Sequence, residues 1–141
     1  MLPAKIARVV EAAYASDLVT DFGASGRDFL LSERPFGINT IITNPPFNKA
    51  AEAFIRHALN LMEPVNGFVA MLLPVDFDSG KTRRDIFADH PAFYKKLVLT
   101  SRIVWFEPEP GEKKSGPSAN HAWFCWDWNN SRKPTLEYLF K

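Results

Sequence analysis

The sequence predicts an α/β fold in which a mostly parallel sheet ends in an antiparallel C-terminal hairpin. A β-branched run at 38–43 and a fully apolar run at 68–73 are separated by a helical stretch. Near-continuous apolar strands of this kind are typical of sheets buried on both faces. Two later strand-like runs flank a loop at 107–120 that is rich in Gly, Pro, Lys and Glu, which indicates a hairpin. A chain of 141 residues is long enough for one domain, so 1–141 is expected to form a single domain.

The first third of the chain is predicted to hold one helix and one short extended segment. Apolar residues recur at helical spacing over 3–14, and the proline at its start suits a first helical turn. A short extended piece is expected over 14–18. Glycines and prolines then make 19–37 rich in turns.

The middle of the chain predicts a strand, a helix and a second strand. The run 38–43 is β-branched and stops at two prolines, which cannot continue a hydrogen-bonded ladder. Asn48 can cap the next helix, which closes at Glu63 and Pro64. A second strand is expected over 68–73. The apolar stripe of the predicted helix consists of Ala51, Phe54, Ile55, Ala58, Leu59 and Met62.

The last part of the chain predicts a short helix followed by three strands. The helix is expected over 81–87, and strands are expected over 97–106 and 121–128 on either side of the long loop. Residues 135–140 are expected to add an edge strand.

Composition excludes several classes of protein. There are 17 basic and 16 acidic residues. The chain therefore lacks the overall basic charge that is typical of proteins that bind nucleic acid mainly through its phosphates. The single cysteine, Cys125, excludes an internal disulfide framework and a cysteine-rich metal site. The longest apolar stretch is far shorter than a membrane span, and the N-terminus lacks signal-peptide features. A cytoplasmic protein without a metal is therefore expected.

Two polar residues are predicted at carboxyl ends of strands, where open parallel sheets bind their ligands. Asp17 ends the first short strand, and Asn44 ends the 38–43 strand. Pro45 and Pro46 fix the backbone after Asn44 and hold its side chain towards the cleft, with Phe47 beside it. This arrangement suits an exocyclic amine on a planar ring.

The expected chemistry at Asn44 is activation of a weakly nucleophilic amino nitrogen. The lone pair of such a nitrogen is delocalised into the ring, which lowers its reactivity. Two acceptors, the Asn44 Oδ1 and the Pro45 carbonyl, would draw the amine towards a tetrahedral geometry in which the lone pair is available. No strong general base is required, because the proton can leave late.

The tetrapeptide Asn44-Pro45-Pro46-Phe47 resembles motif IV of the S-adenosylmethionine-dependent amino-methyltransferases. That family includes N6-adenine DNA and RNA methyltransferases, N2-guanine rRNA methyltransferases and release-factor glutamine methyltransferases. Residues 15–18 resemble motif II and residues 26–30 resemble motif III, in the family's order along the chain. The 72–74 strand end and the aromatic hairpin are similar to those of small prophage- or phage-type members. The resemblance implies a Rossmann-like class I methyltransferase sheet.

The resemblance also implies a cofactor, S-adenosylmethionine, and the residues that hold it. In this comparison Asp17 binds the ribose hydroxyls, with Leu18 beside it. Asp28 accepts a hydrogen bond from the adenine amino group, and Phe29 lines the adenine ring. Asn44 completes the set from the motif IV side. A turn or helix cap is the alternative role for Asp17 and for Asp28.

The implied reaction is methyl transfer to N6 of adenine in DNA. Asn44 and Pro45 orient the amine, Pro46 shapes the loop, and Phe47 stacks on the flipped base. Guanine N2 and a protein glutamine are alternative acceptors, because their amine geometry is similar. The expected partner is adenine-containing DNA.

The chain departs from the family at its N-terminus. The Gly-rich motif I, which should precede the first helix, is not present in the sequence. The expected fold therefore lacks its N-terminal strand, which leaves a gap in the sheet through which the chain is expected to self-associate. A catalytically inactive remnant acting as a binding or assembly module is the alternative function.

Overall fold

An open five-stranded mixed sheet forms the centre of the fold. The computed structural model describes residues 16–17, 25–26, 28–34, 37–46, 49–103, 110–111 and 119–139. The helix expected at 3–14 lies outside these residues, as do Leu18 and Phe47. The elements in chain order are β1 (Ser16–Asp17), β2 (Ser25–Gly26), β3 (Thr40–Thr43), α1 (Lys49–Met62), β4 (Phe68–Pro74), β5 (Phe93–Leu99), β6 (His121–Asp127) and β7 (Thr135–Leu139).

The strand order in the sheet is β3-β4-β6-β5-β7. β3 pairs with β4 and β7 pairs with β5 in parallel, whereas β6 is antiparallel to both β4 and β5. The α/β class and the antiparallel β5–β6 hairpin are confirmed. The sheet is mixed rather than mostly parallel, because the most apolar late strand, β6, lies between β4 and β5 and is covered on both edges. The edge strand expected over 135–140 is present as β7 and pairs with β5.

β5 differs from its predicted position. It runs from Phe93 to Leu99 rather than over 97–106. Two lysines near its start are accommodated by ion pairs. The Lys95 Nζ lies 2.8 Å from Glu137, and the Lys96 Nζ lies 2.9 Å from Asp78. The predicted helix at 81–87 is a 3-10 segment, Lys81–Ile86.

One face of the sheet carries the hydrophobic core. The apolar stripe of α1 packs against this face, and so do Ile86 and Phe87 at the end of the 3-10 segment. The Trp126 indole Nε1–H donates to the Ile86 carbonyl at 2.7 Å, which satisfies a buried polar group on each side. The core residues of β4 and β6 alternate along their strands, as strand geometry requires: Val69, Met71, Leu73, Ala122, Phe124 and Trp126.

A tight connection places β4 beside β3 after the helix. A 3-10 turn, Glu63–Val65, continues α1, and Asn66 then adopts a left-handed conformation with φ of 49°. The Gly67 N–H donates to the Met62 carbonyl at 2.9 Å, and the Phe68 N–H donates to the Asn39 carbonyl at 2.8 Å. The chain therefore returns directly into the register of the parallel β3–β4 pair.

β1 and β2 form a separate parallel pair of two residues each. Within the described part of the chain, β3 pairs only on the side of β4. α1 is too short to cross a membrane, and the same holds for the other helices the structure describes.

Candidate functional site

The 44–46 segment lies at the carboxyl end of β3, as predicted. The last β3 residue, Thr43, is in register with Met71, while β4 continues for three more residues to Pro74. The ladder stops at Thr43 because the next segment contains two prolines without N–H groups. The side chain of Asn44 is exposed and Pro45 is buried. The asparagine is therefore held on an anchored backbone with its amide open to solvent.

The two acidic residues of the candidate cofactor site follow neighbouring strand ends. Asp17 is the last residue of β1 and is the register partner of Gly26, the last residue of β2. Asp28 follows two residues later. Because neighbouring strands lie about 5 Å apart, the backbones of the two acids are close together at one edge of this pair. The structure therefore brings the backbones of two acids from different predicted motifs, motif II and motif III, close to each other.

The Asp28 side chain caps a turn. Its Oδ1 accepts a hydrogen bond from the Leu30 N–H at 3.0 Å at the start of the 3-10 turn Phe29–Leu31. The Ser32 hydroxyl donates to the Asp28 carbonyl at 2.9 Å. The capping alternative for Asp28 is thus realised. Its Oδ2 accepts no hydrogen bond from the residues described, and the side chain is exposed, so one carboxylate oxygen remains available to a ligand.

The 28–34 loop is attached to α1 through aromatic contacts. The Phe29 ring stacks on Phe54, with centroids 5.0 Å apart and an interplanar angle of 29°. It also meets the edge of the His57 ring at 5.1 Å. The His57 Nε2 lies 2.9 Å from the Ser32 carbonyl oxygen. Phe29 is therefore already engaged on one side by the helix that begins after the 44–46 segment.

His57 and Phe54 were not predicted as part of the site. Phe54 belongs to the predicted apolar stripe but is only half-buried, unlike its neighbour Ile55. The signal in the sequence was the position of this large aromatic residue at the margin of the apolar stripe, which indicates that another segment packs against that margin. His57 carried no such signal, because its partner is a backbone carbonyl.

Further polar residues lie at the edge of the sheet where β4 and β5 end and the antiparallel β6 begins. The Val75 N–H donates to the Asn120 carbonyl at 3.0 Å, and the Arg102 Nε–H donates to the Asn120 Oδ1 at 3.0 Å. His121 is buried in register with Pro74, and burial lowers the pKa of its imidazole. These residues border the same edge of the sheet as Asn44 and carry a cation there.

A polar groove of about 420 Å³ lies at the opposite edge of the sheet. It borders the start of β5 and the end of β6, with Lys95, Asp127, Arg132 and Glu137 among its lining residues. Because it lies at the amino ends of β4 and β5, it is remote from the 44–46 segment. Among the described residues, no group of three or more His, Cys, Asp or Glu side chains is placed to hold a metal ion.

Comparisons with known proteins add no assignment. The chain matches no protein-family model, and no curated protein is significantly similar to it. A functional interpretation therefore depends on the residues of this site and their placement.

Proposed function

We propose that this chain transfers a methyl group from S-adenosylmethionine to an exocyclic amino nitrogen, namely N6 of adenine in DNA. The observation that carries the proposal is the placement of the 44–46 segment. It lies directly after a parallel strand, with Pro45 buried and Asn44 exposed. Carboxyl ends of parallel strands are where α/β sheets bind their ligands.

Asn44 and Pro45 are the proposed acceptors for the reacting amine. An exocyclic amine has two N–H groups, and the Asn44 Oδ1 and the Pro45 carbonyl offer one acceptor for each. The prolines limit the backbone freedom of the segment, so these acceptors are oriented before the substrate arrives. The amine would gain the methyl group, the broken sulfur–carbon bond would leave its electron pair on S-adenosylhomocysteine, and one amine proton would pass to solvent. Phe47 is proposed to stack on the extruded base.

Asp17 and Asp28 are the proposed cofactor ligands, and their placement fits the polar groups of an adenosine. A ribose diol and an adenine amino group are both hydrogen-bond donors, and carboxylates accept from both. The parallel β1–β2 pair brings the backbones of the two acids to one edge, and none of the described residues donates a hydrogen bond to the Asp28 Oδ2. When bound there, S-adenosylmethionine would supply an electrophilic methyl group on a sulfonium centre.

An inactive binding or assembly module is the second candidate function. It is favoured by the cap at Asp28, which occupies one oxygen of the proposed adenine ligand. It is also favoured by the separation of the β1–β2 pair from the five-stranded sheet. Guanine N2 and a protein glutamine remain alternative acceptors within the enzyme proposal, since the same two acceptor atoms would serve them.

The test is methyl transfer from labelled S-adenosylmethionine to duplex DNA. We expect label in N6-methyladenine, and a loss of about 10²–10³-fold in rate for Asn44→Ala, because one acceptor on the reacting amine is removed. Asn60→Ala is the matched control, since Asn60 is an exposed asparagine on α1.

Parallel reactions with adenine-free DNA and with a glutamine peptide identify the acceptor. Equal rates for wild type and Asn44→Ala would remove Asn44 from the mechanism. Absence of transfer by the wild type, with retained binding of the cofactor in calorimetry, would favour the binding module.

A further inference from the structure

All five residues of the edge strand β7 are exposed, and three of them are large and hydrophobic: Leu136 at 54%, Tyr138 at 55% and Leu139 at 42%. Natural edge strands are usually protected from pairing by charged residues, proline or a bulge. β7 contains no proline and no bulge, and its single charged residue, Glu137, is paired with Lys95. We propose that a second copy of this chain pairs with β7 in the antiparallel direction and extends the sheet across a two-fold axis.

In the part of the chain that the structure describes, no strand pairs with the outer edge of β7, and this edge presents the backbone groups of two residues. The Leu139 carbonyl accepts hydrogen bonds from the N–H and the hydroxyl of Thr100, so Leu139 faces β5. Backbone groups of successive strand residues point to opposite edges. Leu136 and Tyr138 therefore direct their N–H and C=O groups outwards, away from the sheet.

Only a register centred on Glu137 uses all four of these groups symmetrically. In that register Leu136 pairs with Tyr138 of the second copy, and Tyr138 pairs with Leu136 of the second copy. Both are hydrogen-bonded pairs, so four backbone hydrogen bonds form around the axis. Each pair also sets an aromatic ring opposite an aliphatic side chain on the same face of the sheet, a favourable cross-strand combination. An isologous contact requires this self-complementarity.

The charge at the centre of the contact is balanced within each copy. The register places Glu137 opposite Glu137 of the second copy, and like charges in such positions repel. The Lys95 Nζ, however, lies 2.8 Å from the Glu137 carboxylate from the neighbouring strand. Two lysines would therefore flank the two carboxylates. A second copy therefore brings a cation for each carboxylate at the contact, whereas an unrelated peptide would not bring the second lysine.

The contact is expected to be weak, because one pair of edge strands buries less surface than a standard stable interface. The first test is sedimentation of the full chain from micromolar to submillimolar concentration. We expect a monomer–dimer equilibrium. Tyr138→Lys should weaken it at least tenfold, because it sets a charge opposite Leu136 of the second copy. Leu31→Lys is the matched control, since Leu31 is 82% exposed elsewhere and should leave the equilibrium unchanged.

The second test traps the register. Opposed Cα atoms in a non-hydrogen-bonded antiparallel pair are about 4.5 Å apart, within disulfide range. Glu137→Cys should therefore form an intermolecular disulfide under mild oxidation. Thr135→Cys should not, because the two copies of that position are separated by about 13 Å along the strands. The native Cys125 is buried and remains unmodified in both variants.

A chain that stays monomeric over the whole concentration range would overturn the proposal. A dimer that forms without the Glu137→Cys cross-link, or that is insensitive to Tyr138→Lys, would also overturn it, since the copies would then meet through another surface such as the outer edge of β3. Neither outcome depends on methyl transfer.

Discussion

His57 binds the carbonyl of Ser32 and thereby attaches the 28–34 loop to α1. The His57 Nε2 lies 2.9 Å from the Ser32 oxygen, and because a carbonyl only accepts, Nε2 carries the proton. The Phe29 ring lies against the same imidazole. Since α1 begins just after the 44–46 segment, the proposed cofactor loop and the proposed amine site are joined through one helix.

Removal of this contact should loosen the loop. His57→Ala deletes a hydrogen bond and a ring contact, and we expect a loss of about 1–2 kcal/mol in the free energy of unfolding. His57→Gln retains an N–H donor and should recover part of the lost free energy of unfolding. Urea unfolding measures both. Wild-type stability in His57→Ala would show that the loop is held by other contacts.

Two substitutions of Asp28 distinguish its role as a cap from its proposed role as a cofactor ligand. Asn is as good a cap as Asp, so Asp28→Asn should preserve stability, whereas Asp28→Ala should lose about 1 kcal/mol. Both should weaken S-adenosylmethionine binding in calorimetry, because each removes the carboxylate. If Asp28→Asn bound the cofactor as wild type does, Asp28 would act only as the cap.

Gly67 is required by the close approach of α1 to β3. A Cβ added at Gly67 would lie 2.7 Å from the Asn39 carbonyl oxygen and 2.8 Å from the Met62 sulfur. Gly67→Ala should therefore destabilise the fold by about 1–3 kcal/mol. Gly80→Ala is the matched control, since its nearest neighbour, the Arg83 side chain, is at an ordinary 3.5 Å. Equal thermal midpoints for the two variants would contradict this reasoning.

Trp126 is expected to be the most sensitive tryptophan of β6. It is fully buried, and its indole satisfies the Ile86 carbonyl. Trp126→Phe leaves that carbonyl without its donor and should cost about 2–3 kcal/mol in denaturant unfolding. Trp123→Phe, at a half-buried position of the same strand, should cost distinctly less. The opposite order would place the core on the other face of the sheet.

Stability should fall in mild acid. Burial lowers the pKa of His121 and of His90 below their ordinary value of 6.5. Below about pH 6.5 the unfolded chain therefore binds protons that the folded chain does not. The contribution of the two neutral histidines to the free energy of unfolding is fully present above that pH. As the pH falls below it, the contribution of each histidine declines by up to about 1.4 kcal/mol per pH unit. Unfolding curves at pH 7.5 and 5.5 should show a smaller difference for His121→Gln than for wild type; an unchanged difference would exclude His121.

Several local elements and the position of Asn44 could be predicted from the sequence alone. The β-branched run ends at Thr43 because two prolines follow, and the buried positions of α1, including Ile55 and Met62, match the predicted stripe. These features depend on neighbouring residues, whose periodicity and lack of N–H groups are visible in one dimension.

The pairing of the later strands and the contacts of the site could not be predicted before the folded structure was known. The central place of β6, the β5–β7 pair and the shift of β5 depend on partners far along the chain, such as Lys95 with Glu137. The same holds for His57 and Ser32, which are 25 residues apart. Backbone carbonyls and ion pairs of this kind leave no periodic signal, because their energy arises only once the chain has brought the partners together.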